Sequence, residues 1–109
     1  MNFRSAPSQG WHVCVIAEEG DAFCKIGSAV TVAYLLQQLQ IGDPRRLRLI
    51  ADWQVSSSNV ARAVKSRALS SAGLLRLEGR DWLECHPDAA VSFVRCAMAR
   101  LGVAERVAQ

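Results

Sequence analysis

The stretch Ala22–Pro44, AFCKIGSAVTVAYLLQQLQIGDP, changes its hydrophobic period halfway along and so decides the order of elements around it. AFCKIG is a short apolar run of strand type, with Lys25 its only charge. From Thr31 the interval changes. Val32, Leu35, Leu36 and Leu39 recur at three and four residues, the spacing that lines one side of a helix. Gly42 stops that helix, and Pro44 two residues on prevents its resumption. Upstream, WHVCVIA (11–17) is dense in Val and Ile and predicts a buried strand. EEGD (18–21) joins the two runs as a turn, which gives a β-hairpin.

Downstream, Leu47, Leu49, Ala51 and Trp53 alternate with Arg48, Ile50 and Asp52, which predicts a third strand. SSSN (56–59) is a capping cluster. It opens a helix over about Asn59–Ser70 with Val60, Ala61, Val64 and Ala68 on its apolar side, ended by Gly73. LLRLEGRDWLEC (74–85) alternates like a strand but is interrupted by Gly79. Pro87 suits the first turn of a last helix reaching about Leu101. The expected fold is α+β, a small antiparallel three-stranded sheet flanked by three helices. It forms one domain over 11–103, with a flexible arm at 1–10 and a tail at 104–109.

With 109 residues, half of them apolar and about a fifth charged, the chain can bury a core of its own. Thirteen basic against ten acidic residues give +3, which permits contact with nucleic acid without requiring it. No window is long and apolar enough to span a membrane, and the polar start MNFRSAPSQG lacks the apolar segment of a secretory signal. A cytoplasmic protein with reduced thiols is expected. Its four cysteines form no C-x-x-C pair. Cys14 and Cys24, in adjacent strand runs, are expected as neighbouring core residues. Cys85, His86 and Cys96 are too scattered for a zinc set, so neither metal nor cofactor is expected.

The series HVCVI, CKIG, the Leu-rich helix with its Gly-x-Pro turn, and GRDWLEC resembles the GIY-YIG nuclease superfamily over Trp11–Cys85. The likeness is to a branch found in phages and mobile elements, with Lys before the Ile-Gly of the second motif. In that family a first-motif Tyr supports the attacking water, a helix Arg grips the phosphate, and a second-helix Glu holds the metal. Carried over by position, the Tyr falls on Cys14, the Arg on Leu35 and the Glu on Ala61. A His one turn after the Glu falls near Lys65. Counting supports the vacancy in any register. The only tyrosine is Tyr34, no Arg or Lys lies between Lys25 and Arg45, and no Asp or Glu lies between Asp52 and Glu78. Phosphate hydrolysis needs a positioned nucleophile and a cation, so this resemblance implies a fold without the catalysis.

The expected function is therefore a binding module for a protein partner or a second copy, using Cys14, Tyr34, Leu35 and Ala61 on the former active face. In a phage or mobile-element setting, implied by the resemblance alone, it would regulate or inhibit a host factor. The alternative is a nucleic-acid-binding domain without cleavage, using Arg45, Arg46, Arg48, Arg62, Lys65 and Arg67 on DNA. A second alternative is a divergent metal-dependent endonuclease with relocated carboxylates at Glu78, Asp81 and Glu84.

Overall fold

The computed structural model describes residues 10–78 and 80–106. The expected arm, apart from Gly10, and the tail beyond Arg106 lie outside the described residues. The elements are β1 (Trp11–Glu18), β2 (Cys24–Ala29), α1 (Val32–Ile41), β3 (Leu47–Val55), α2 (Ser58–Ala72), a 3-10 turn (Gly73–Leu75), β4 (Trp82–Leu83) and α3 (Pro87–Leu101). The α+β class is as expected, but the antiparallel sheet has four strands, ordered β3-β1-β2-β4. The strand missed is two residues long. The segment before it curls through the 3-10 turn and returns by a bridge between Arg76 and Leu83, which breaks the alternation that marks a strand.

Both sheet faces are covered, which is why β1 is a continuous apolar run and not an alternating one. Val13, Val15 and Ala17 face a large core with Ile26, Trp53, Val64, Leu83, Val94 and Met98, under α2 and α3. Cys14 and Ile16 face a smaller one with Val32 and Leu47, under α1. Cys14 and Cys24 are thus not neighbours. Cys14 pairs with Gly27, Cys24 pairs with Ala17, and the two sulfurs serve opposite faces. In β3 the alternation of Leu47, Leu49, Ala51 and Trp53 does not hold one face. Val15 pairs with Ala51 but Ile16 with Leu49, so Ile50 is an extra residue. This bulge reverses the phase, sending Leu47 to the α1 core and Trp53 to the other.

The local signals place the helix ends. Ser57 caps α2, its Oγ accepting the Val60 amide at 3.2 Å. His86 caps α3 through Nδ1, with Pro87 in the first turn and left-handed Gly102 after the last. Beyond it, the Gln54 amide donates to the Arg106 carbonyl at 3.0 Å, which brings the segment after α3 against β3.

In the hairpin turn the left-handed residue is Asp21 (φ 57°). The turn is organised by Glu18, nearly buried at 5 % exposure, whose Oε1 accepts the Ala22 amide at 3.0 Å. That bond, then those of Gly20 and Phe23, hold the Glu18 carboxyl below its ordinary value of 4.5. A carboxylate lowered in the folded state adds stability that is present above its ordinary pKa and lost as pH falls through the lowered one. Glu18→Gln should therefore flatten the acid limb of a plot of Tm against pH, with the difference from wild type confined to pH above that limb. An unchanged slope would mean the turn does not depend on the charge.

Candidate functional site

The strands place the sequence-derived positions before any helix is considered. In β1, His12, Cys14 and Ile16 share the face toward α1. Their partners there are Ala29, Gly27 and Lys25 of β2, and Gln54 and Asp52 of β3. At the open end, His12 Nδ1 and Asp52 Oδ1 are 2.8 Å apart, both partly exposed. Cys14 lies fully buried beside them. Burial first, then the Asp52 charge, push its thiol up to about 11. Thiolate is the nucleophilic form, and burial disfavours it here.

Leu35 does meet Cys14. A Cβ placed on Gly27 would stand 3.0 Å from Leu35 Cδ2 and 3.5 Å from Cys14 Sγ, so the missing side chain lets α1 approach β2. Ala61 does not join them. It is fully buried in the core under α2 and α3, on the other face of the sheet. The four residues expected to bind a partner therefore split. Cys14 and Ala61 have no surface to offer, Leu35 is half-buried, and Tyr34 is exposed at 61 %.

The solvent side of α1 extends from Tyr34. Of the ten residues of α1 only Val32 is buried, none is charged, and Ile41 at its end is 76 % exposed. Shallow hollows flank the helix. One of 310 Å³ lies by Val30, Tyr34 and Leu35, and one of 510 Å³ by Ala33, Leu36, Ile41 and Leu47. Sequence reasoning missed Ile41 because the helical pattern was followed only to Leu39. Extending the spacing around the wheel, Ile41 follows Tyr34 by seven residues, two turns along the same side.

Half of the six candidate basic residues pair with carboxylates and half stand exposed. Arg45 bonds Asp43 (Nε–Oδ1 3.2 Å), stands 4.0 Å from Glu18 and covers the Phe23 ring. Arg48 pairs with Asp21. Arg46 is exposed at the surface, its amide 3.4 Å from Glu19 Oε1. On α2, Arg62 and Arg67 are exposed, but Lys65 Nζ is 2.6 Å from Asp81. The same carboxylate lies 3.7 Å from Lys25 and 3.8 Å from Arg76. Partial burial raises the Asp81 pKa, but the Lys65 bond and charge, with Lys25 and Arg76, outweigh it and hold it low. This cluster could not be anticipated without β4. Only its pairing brings Asp81 beside Ile26, whose amide donates to the Asp81 carbonyl.

Among the described residues no three His, Cys, Asp or Glu side chains come together as a metal set, those of Glu78, Asp81 and Glu84 included. No helix there is long and apolar enough to cross a membrane. Compared with family models, with curated proteins and with solved structures, the chain finds no match in any of the three.

Proposed function

We propose that this chain is a catalytically inactive, GIY-YIG-like domain that works as a binding module, docking a protein partner or a second copy of itself through the outer side of α1. The observation that carries the reading is that α1 has no charged residue and a single buried one, while Tyr34 and Ile41 stand on its open side. Soluble domains seldom leave a helix both uncharged and uncovered, and such surfaces are typical of partner sites. An exposed tyrosine is also a common anchor of binding energy. The absence of catalysis is supported by the residues at the three positions. A protonated thiol, a leucine and a buried alanine supply neither nucleophile, nor cation, nor metal ligand.

Nucleic-acid binding is less well supported, because Arg45, Arg48 and Lys65 already neutralise carboxylates of the chain itself. Light scattering and pull-down from a native lysate test the choice. Tyr34→Glu with Ile41→Glu is expected to weaken self-association or partner capture at least tenfold, on the order of 1.4 kcal/mol, with little salt dependence. Unchanged association would remove α1 from the interface. Tight duplex binding with a steep salt slope, lost in Arg62→Glu with Arg67→Glu, would put the nucleic-acid reading in its place.

A further inference from the structure

The thiols of Cys24 and Cys85 meet at the edge of the sheet, a juxtaposition that the binding reading does not use. Cys24 begins β2, its cross-strand partner is Leu83 of β4, and Cys85 follows two residues later, where the chain turns into α3. The two sulfurs are 3.6 Å apart, and the Cys24 thiol also donates to the Cys85 carbonyl at 3.4 Å. A disulfide needs about 2.05 Å between sulfurs, so the two have about 1.5 Å to close before they bond. We infer that Cys24 and Cys85 are a redox-responsive pair, which a peroxide converts into a disulfide tying the β1–β2 hairpin to the start of α3.

The order of events follows from exposure. Cys85 is half-buried and within reach of peroxide, whereas Cys24 has no exposed surface. Burial, then the neighbouring Cys85 sulfur, also push the Cys24 thiol up, which makes it the poorer first nucleophile. The Cys85 thiolate attacks the peroxide, the O–O bond breaks, and Cys85 sulfenic acid and hydroxide form. Cys24 sulfur then attacks the sulfenic sulfur. The S–S bond forms, the S–O bond breaks, and the departing hydroxide takes the Cys24 proton as water. Two thiols and one hydrogen peroxide give one disulfide and two waters. Cys14 lies on the other face of the sheet, whereas Cys96 is exposed on α3 and open to the same peroxide, so Cys96→Ser separates its oxidation from that of the pair.

The bond would join residues 61 positions apart, and cross-linking a loop that long restricts the unfolded chain. The full-length protein carrying Cys96→Ser, treated with hydrogen peroxide, is expected to lose the mass of two hydrogens. It should yield a Cys24–Cys85 linked peptide on digestion without reductant, and gain on the order of 10 °C in Tm, all reversed by dithiothreitol. In that background Cys85→Ser should abolish the mass loss. If Cys85→Ser does not fold, alkylation of oxidised, then denatured wild type decides. Labelling only Cys14 and Cys96 supports the pair. Labelling of Cys24, a linkage through Cys96, or oxygen added at Cys85 without a link would overturn it.

Discussion

Ile26→Ala is expected to lower the unfolding free energy by about 3–4 kcal/mol, within the range for truncating a fully buried isoleucine. Ile26 is fully buried near the middle of β2, with β1 on one side and β4 on the other. Its side chain faces the core shared with Leu83, Val64, Val94 and Met98. A strand held on both edges cannot move inward to fill the space, so the lost transfer energy and the cavity both count. Domains of this size have about 5–15 kcal/mol in all, so Tm should fall by roughly 15 °C. Ile41→Ala, on the exposed end of α1, should stay within about 0.5 kcal/mol of wild type. Urea denaturation followed by far-ultraviolet dichroism reads both. An Ile26→Ala midpoint close to wild type would mean that the fold is not centred on this core.

The contrast between those two isoleucines also marks what the sequence made legible. Helices are signalled by local chemistry, so Ser57, Pro87 and the glycines after α2 and α3 place the helix ends to within a residue or two. The hairpin is local as well. What needs partners far along the chain was not legible. β4 exists only because Lys25 and Cys24 have open edges for Trp82 and Leu83, and two residues carry no period of their own. The bulge at Ile50 follows from pairing with β1, and the regular alternation of β3 conceals it. For the site, counting charges in α1 was informative because charge needs no register. Placing Ala61 beside Cys14 needed the side of the sheet on which α2 packs, and Ala61 faces the other core.

Asp81→Asn is expected to cost about 1–2 kcal/mol at neutral pH, a value reduced from that of a fully buried ion pair because the carboxylate is partly exposed. Lys65, Lys25 and Arg76 all lie within 4.0 Å of it, so the change leaves three cations facing one another. The pH dependence has a definite sign. Asp81 is held below its ordinary 3.8, so its contribution is full above that value and lost as pH falls through the lower folded one. Wild type and Asp81→Asn should therefore converge in acid and diverge toward neutrality. Lys25 supplies the second arm of the experiment. Burial pulls its pKa below 10.5 and Asp81 partly offsets that, so its charge costs stability at neutral pH, and costs more once Asp81 is gone. Adding Lys25→Met to Asp81→Asn should restore about 1 kcal/mol of the loss, with the side-chain stem still packed near Trp82. An equal effect of Lys25→Met in wild type and in Asp81→Asn would mean that the two groups are uncoupled. A gain from Lys25→Met that is larger in Asp81→Asn than in wild type would show that Asp81 holds the cations of β2 and α2 together, and that Lys65→Glu reports on this internal contact before it reports on any phosphate.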